Sequence, residues 1–301
     1  MANYISNKHP EDILPLVSIA MPVYNAGKHL RLAVLSIVNQ TYLNWELLII
    51  DDGSSDDSFL DIADINDWRI TILRDAVNRG LVARLNEAID LARGDYFARM
   101  DGDDISYPDR LLKQVTALQN NSKIDLIATR VITIDEENLA TGLFPYAISH
   151  NEICACPWKG FYFPHPTWMG KIEWFRKYRY TLPAPYCCED QELILRSYRD
   201  SRLETLNEIL LAYRVRSIVD KQKLAKTRRA VFEAQLTQFY SYKSWCFLLL
   251  AVVSFMIKSI NDFLNRIKNK NNKTAVNRLD HEILVKWNKV LDSLNLLKTV
   301  L

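Results

Sequence analysis

Read for its alternation of apolar and polar positions, the chain shows a repeating pattern over its first half. Short apolar runs, LVSIAM (16–21), WELLII (45–50), RITIL (69–73) and DYFARM (95–100), are separated by longer segments. Runs of that length are strand-sized, and IDLIATRVITI (124–134) supplies further strand. The segments KHLRLAVLSIVNQ (28–40), DSFLDIADI (57–65), LVARLNEAIDLAR (81–93) and DRLLKQVTALQ (109–119) carry helical spacing instead. Strand and helix in this alternation predict an α/β fold, a parallel sheet covered on both faces by helices.

The polar residues then acquire a common place. In an open parallel sheet, ligands collect beyond the carboxyl ends of the strands, near the point where strand order reverses. PVYNAG (22–27) follows the first run, DDGSSDD (51–57) the second and DGDD (101–104) the fourth, so all three map to one rim. Asp and Gly are ordinary turn residues, yet independent turns have no reason to gather acids on one edge. Asp101, Asp103 and Asp104 repel one another as bare carboxylates. A hard dication such as Mg²⁺ or Mn²⁺ turns that repulsion into attraction, and magnesium takes few protein carboxylates plus phosphate oxygens. The small Gly102 lets the backbone bend so that Asp101 and Asp103 can face one ion and its diphosphate.

Composition narrows the class. The 301 residues are 49% hydrophobic and 25% charged, which suits one large folded domain or two smaller ones. The net charge of +2 hides a division: residues 1–220 carry 23 Lys/Arg against 31 Asp/Glu, and residues 221–301 carry 15 against 5. An acidic body with a basic tail points to an anionic membrane surface and to no nucleic acid. Within that tail SWCFLLLAVVSFMI (244–257) has no charge, but its fourteen residues fall short of the ~20 needed to span a bilayer. It is read as an interfacial or re-entrant helix, followed by Arg266, Lys268, Lys270, Lys273 and Arg278 for anionic headgroups; the alternative is a helix packed on the body. The N-terminal stretch MANYISNKHPEDILP lacks an apolar signal region, which predicts a cytoplasmic location. Five cysteines, with Cys154/Cys156 and Cys187/Cys188 too close for usual zinc spacing, read as reduced thiols.

Two nucleotide folds drop out on motif. No G-x-G-x-x-G follows the first run, and no G-x-x-x-x-G-K-[ST] occurs. VSIAMPVYNAGKHLRLAVLSIVNQTYLNWELLIIDDGSSDDS, NRGLVARLNEAI and GDYFARMDGDD, in that order, resemble family 2 glycosyltransferases of the GT-A fold, over about residues 16–217. The resemblance implies inverting transfer of a sugar from a nucleotide diphosphate to an acceptor hydroxyl. By it, Pro22, Tyr24 and Asn25 line the nucleotide, Asp51 and Asp52 hold base and ribose, and Arg84 sits near base or phosphates. Asp101 and Gly102 meet the donor, Asp101 and Asp103 carry the metal, and Asp104 supports them. Simpler roles stand beside these: Tyr24 in the core, Asn25 as a cap, DGSSD as a turn, Arg84 and Glu87 as an i,i+3 surface pair.

The second half is expected to serve the acceptor. In YCCEDQELILRSYRD, Glu189 and Asp190 open a helical segment; acids there suit the helix dipole, and the family's E-D pair implies that Asp190 is the general base. His165 and Trp168 of FPHPTWMGK are candidate donor or acceptor contacts, and Trp168 with Trp174 a candidate sugar-stacking face, though packing explains both tryptophans. LLAYRVR (210–216) is similar to the family's closing segment, where Arg214 and Arg216 could meet the diphosphate. The Q-x-x-R-W of processive synthases is absent, which favours transfer of a single sugar.

The chain thus reads as a GT-A glycosyltransferase using a nucleotide-sugar, UDP-linked by family habit, and a lipid-linked or surface-glycan acceptor, attached to the cytoplasmic face of the membrane by its tail. Its expected parts are an extension (1–15), a nucleotide-sugar half (16–130), an acceptor half (131–220) and a basic helical tail (221–301). The alternatives are a sugar-phosphate nucleotidylyltransferase and an inactive, glycosyltransferase-like scaffold.

Overall fold

The computed structural model describes residues 14–215, 221–267 and 279–300. Strands β1 (Val17–Val23), β2 (Trp45–Asp51), β3 (Ile70–Arg74) and β4 (Tyr96–Arg99) fall on the four expected runs, and β6 (Leu126–Ile134) on the fifth. With β5 (Ile105–Ser106), β7 (Ala140–Leu143), β8 (Met169–Lys171) and β9 (Leu203–Arg214) they form one sheet ordered β3-β2-β1-β4-β8-β6-β9-β5, with β7 on β6. The β3-β2-β1-β4 stretch is parallel, as is β6 with β9, whereas β8 joins β4 and β6 antiparallel. The short antiparallel strand β8 thus splices two parallel groups.

Every residue of β1 and β2 is buried, which requires helices on both faces. Alternation along β1 sorts the side chains: Ile19 and Met21 join a core with Leu30 and Val34 of α1 (Leu30–Val38) and Leu111 and Val115 of α3 (Arg110–Asn120). Ala20 points the other way, into a core with Leu85 and Ile89 of α2 (Leu81–Leu91), Phe175 of α5 (Ile172–Lys177) and Leu193 of α6 (Glu189–Ser197). A short helix α4 (His150–Ile153) is closed by a capping box, Ser149 accepting from the Glu152 amide while Glu152 accepts from the Ser149 amide.

One expectation changes. DSFLDIADI forms only a 3-10 turn, Leu60–Ile62. Ahead of that turn, Asp56 accepts from the Ser58 amide and hydroxyl and from the Gly27 amide, so its side chain competes with helical pairing. The expected helical tail consists, among the described residues, of three helices. Helices α7 (Lys221–Ser241) and α8 (Trp245–Ile267) pack on each other, Phe232 stacking on Phe255 with centroids 4.3 Å apart. The last helix, α9 (His281–Val300), returns to the body, where Trp287 is buried, stacks with Tyr107 at 6.0 Å and donates to the Asn138 carbonyl at 3.0 Å. Helix α8 is longer than the uncharged run, 23 residues, because the apolar pattern resumes after Lys258. Among the described residues it alone is long and apolar enough to cross a membrane, by length and composition. Lys268, Lys270, Lys273 and Arg278 lie outside the described residues.

Candidate active site

Because β1, β2 and β4 run parallel, their carboxyl ends share an edge, and the three polar clusters meet there. The Asp52 amide donates to the Val23 carbonyl at 2.7 Å, the Asn25 amide to Ser54 Oγ at 3.0 Å, and the Ser55 amide to Asn25 Oδ1 at 2.8 Å. Asn25 takes a left-handed φ of 51°, tolerable for Asn, and its side chain ties one cluster to the next. Pro22 is buried in β1, while Tyr24 stands 56% exposed at the rim and not in the core. An aromatic that open is placed to meet a ligand face.

Behind the rim the carboxylates are held rigidly. Asp51 accepts from the Ser54 amide and from Arg74, each at 2.8 Å. Asp52 accepts from the Arg79 amide at 2.7 Å, the Gly80 amide at 3.0 Å and Arg84 Nε at 3.0 Å. Arg84 itself is 1% exposed and enclosed by Asp52, Asp75 and Glu87, with Asp75 Oδ1 at 2.6 Å. These pairs push the guanidinium pKa up, Asp75 first, and Arg84 holds the Asp75 carboxyl down to about 2. The expected Arg84–Glu87 pair exists, but Arg84 braces the loop that carries Asp52 from beneath the surface.

The DGDD loop is built to hold charge. Gly102 is closely packed: a Cβ there would come within 3.1 Å of a Val23 methyl, which would have to give way slightly. Asp104 is fully buried, accepts from the Arg214 amide at 2.8 Å, and leaves Oδ2 with no partner. Burial and the neighbouring Asp101 raise the Asp103 carboxyl to about 6, and burial, helped by Asp101 and Asp103, raises the Asp104 carboxyl well above its usual range. Arg214 clamps the loop through the Asp103 carbonyl at 2.8 Å, the Asp135 carbonyl, and Asn138 Oδ1 at 2.7 Å. Those three bonds use Nε and one N–H of each terminal nitrogen, so Arg214 secures the DGDD backbone and keeps two N–H donors. Arg216 lies outside the described residues.

A divalent cation is consistent with this donor set. No group of three His, Cys, Asp or Glu side chains converges among the described residues, so a cage made wholly of protein is not built. The partnerless, buried Asp104 Oδ2 and the closeness of Asp101 to Asp103 suit an ion completing its shell with phosphate oxygens and water.

Arg99 is the residue that sequence reasoning missed. It is 3% exposed and grips Asp101 in a fork, 2.7 Å and 3.0 Å, at the end of β4. Its only sequence signal was a charged residue inside an otherwise apolar run. Beneath it Arg110, fully buried, donates to the Arg99 carbonyl at 2.7 Å and to Gln114 at 3.0 Å, and burial lowers its pKa to about 9.

Across the site, α6 opens with Glu189 and Asp190, both partly exposed. Asp190 Oδ2 accepts from Gln191 Nε2 at 3.2 Å. His165, 7% exposed, pairs Nε2 with the Tyr180 hydroxyl at 2.6 Å and has Nδ1 3.6 Å from Glu189. Burial, reinforced by Arg99, drops its pKa to about 3, so this histidine is neutral at physiological pH. Trp168 has no exposed surface, its indole N–H donates to the Phe163 carbonyl at 3.1 Å, and Trp174 binds Ser201 at 2.8 Å. The sugar-stacking face and the ligand contact expected of Trp168 are therefore withdrawn, because both rings are consumed by packing. His165, lodged 4.4 Å from the Trp168 ring, lies beneath the Glu189–Asp190 step.

Comparisons with known proteins place this fold and site in a class of transferase. The family model for glycosyl transferase family 2 matches residues 18–179. An uncharacterized glycosyltransferase of Methanocaldococcus jannaschii is 32% identical over 222 residues, 70% of this chain and 76% of its own. The O-antigen biosynthesis glycosyltransferase WbnJ of Escherichia coli is 32% identical, covering 67% of this chain and 81% of its own. The E. coli UDP-Glc:alpha-D-GlcNAc-diphosphoundecaprenol beta-1,3-glucosyltransferase WfgD is 32% identical over 46% of this chain and 54% of its own. Among solved structures, S. aureus TarS 1-349 in complex with UDP superposes with a TM-score of 0.57 at 16% identity, covering 73% of this chain and 65% of that one. The chain belongs to glycosyltransferase family 2 and is a glycosyltransferase enzyme with the GT-A fold, with relatives in bacterial polysaccharide synthesis.

Proposed function

We propose that this enzyme moves one sugar, with inversion, from a UDP-sugar to a hydroxyl of a lipid-linked or surface-glycan acceptor at the cytoplasmic face of the membrane. The observation that carries the reading is two acidic stations within electrostatic reach of the same buried pair, Arg99 and His165. The DGDD loop, fixed by Arg99 and Arg214, is one, and Asp190 on α6, with His165 and Glu189 beneath, is the other. Residues 16–130 form the donor half and 131–220 the acceptor half.

In this reading Tyr24 and Asn25 border the nucleotide, Asp51 and Asp52 take base and ribose, and Asp101 and Gly102 meet the donor's sugar–diphosphate. Asp103 and Asp101 hold Mg²⁺ or Mn²⁺, which when bound offsets negative charge on the departing diphosphate. Asp190 removes the proton of the attacking hydroxyl as the displacement proceeds in line, so no covalent intermediate is needed. His165, neutral and bonded to Tyr180, leaves Asp190 as the base and fixes Glu189 beside it. The donor assignment gains support from a neighbour of the same fold crystallised with UDP. The acceptor assignment gains support from WfgD, whose name specifies a diphosphoundecaprenol-linked sugar.

The experiment is a pair of measurements on Asp190→Asn. UDP binding in Mn²⁺, read by thermal shift, should stay within about twofold of wild type, while transfer should fall about 10²–10⁴-fold. Retention of full transfer would remove Asp190 from the mechanism.

A further inference from the structure

Beside α6, between the body and the α7–α8 pair, lies a cavity of about 180 Å³, far above the roughly 15 Å³ that admits one water. Lys159, Arg228 and Lys258 line it, with Phe232 and Phe255 as apolar wall, and no carboxylate lines it. Among the described residues only Arg228 has an acidic partner, Asp262. Lys258 donates to the Lys159 carbonyl at 3.3 Å, and its ammonium is held below the usual lysine range by burial, then by Arg228 and Lys159. Three cations gathered around a space, with Asp262 as the one acid paired to any of them among the described residues, favour an anion there.

Its position gives the anion a purpose. Gln191 lines the same cavity and donates to Asp190 Oδ2 at 3.2 Å, so one side chain joins cavity wall and proposed base. Gln191 is pinned there by two bonds to Phe161, the amide at 2.8 Å and the carbonyl at 3.2 Å. Gly160 makes room for it, since a Cβ would lie 2.9 Å from Gln191 Oε1 and its φ is +103°.

The opposite side of α8 is apolar and open. Trp245, Leu249, Met256, Ile257, Ile260 and Leu264 are 44–63% exposed, and at 3.6 residues per turn they fall within an arc of about 120°. Lys258, Phe255 and Asp262 fall on the other side, facing the body. An amphipathic helix of this kind lies in a membrane interface with its apolar stripe toward the lipid, which sets the cavity about one helix diameter, ~10 Å, from that stripe.

We infer that the cavity seats the diphosphate of a polyisoprenoid-linked acceptor, with Lys159, Arg228 and Lys258 on its oxygens, its chain passing to the membrane around α8 and its sugar reaching Asp190 past Gln191. This rests on the glycosyltransferase reading and names the acceptor's anchoring group. Cations on a flexible lipid's headgroup fix the one part of the acceptor that every such substrate shares.

The test titrates full-length protein, its rim filled with excess UDP and Mn²⁺, with farnesyl diphosphate, farnesol and inorganic pyrophosphate. Wild type should bind farnesyl diphosphate at least about tenfold more tightly than either fragment. The Lys159→Gln/Lys258→Gln variant, which spares the Arg228–Asp262 pair, should lose about tenfold or more in that affinity while its melting temperature and UDP affinity hold. An unchanged affinity in the variant overturns the proposal. Equal binding of pyrophosphate and farnesyl diphosphate, both lost in the variant, overturns the lipid assignment in favour of a soluble diphosphate. Turnover of a UDP-sugar without any farnesyl diphosphate binding sinks the cavity alone; farnesyl diphosphate binding without sugar transfer to any acceptor sinks the glycosyltransferase mechanism instead.

Discussion

At the rim, Arg84 is surrounded by Asp52, Asp75 and Glu87, and Arg99 is forked onto Asp101. Under α8, Lys159, Arg228 and Lys258 gather with Asp262 as the only acid paired to any of them among the described residues. The rim therefore uses its cations internally, which in the proposed function holds acids in place for a ligand that brings its own dication. The cavity has Lys159 and Lys258 at a space without an acid paired to either among the described residues, where the proposed ligand supplies the negative charge. Pre-organisation lowers the cost of binding in both places, but in the proposed reading the first region recognises through fixed carboxylates and the second through positive charge.

Breaking the internal pairing should have the largest effect. Arg84→Met leaves the buried Asp52 without its guanidinium, and loss of one partner from a buried charge cluster costs about 3–5 kcal/mol. Urea unfolding should show that loss, and a change under about 1 kcal/mol would mean that the amides of Arg79 and Gly80 suffice to hold Asp52.

The pH dependence is smaller and has a definite sign. An ordinary histidine titrates near 6.5, and folded His165 only near 3. Below pH 6.5 the unfolded chain takes up a proton that folded His165 refuses, so stability falls as pH drops toward 3, by about 1.4 kcal/mol per pH unit. In His165→Gln the slope of unfolding free energy between pH 6 and 4.5 should be shallower by about that amount. Identical slopes would place the charge-sensitive group elsewhere.

The smallest effect on stability belongs to the tail's outer face. Leu249→Glu, at a position 63% exposed, should change unfolding by less than about 0.5 kcal/mol. It should nonetheless reduce flotation with vesicles containing anionic lipid, because a charge in the apolar stripe opposes interfacial burial. Undiminished flotation would show that α8 does not face the lipid.

The rim was legible because its signals are local. Four apolar runs fix β1 to β4, and parallel order alone brings PVYN, DDGSSDD and DGDD to one edge. What stayed hidden depends on partners distant in sequence. Arg99 reads as a stray charge until β4 places it beside Asp101, and Trp168 reads as a ligand-stacking ring until Phe163 and His165 enclose it. Strand β9 was missed because LETLNEILLAYR is poor in β-branched residues and takes its shape from parallel pairing with β6. The tail divided into a docked α9 and an amphipathic α8 for the same reason. Composition reports how much apolar surface there is, whereas Trp287 against Tyr107 decides which part is covered.

The account's central claim is that the rim carboxylates grip a dication together with the leaving nucleotide. Crystals soaked with MnCl₂ and UDP test it directly through the anomalous signal of manganese. The expected result is a peak about 2.1 Å from an Asp103 carboxylate oxygen, shared with the UDP diphosphate. Density for UDP elsewhere, or a rim without manganese at saturating concentrations of both, would contradict it.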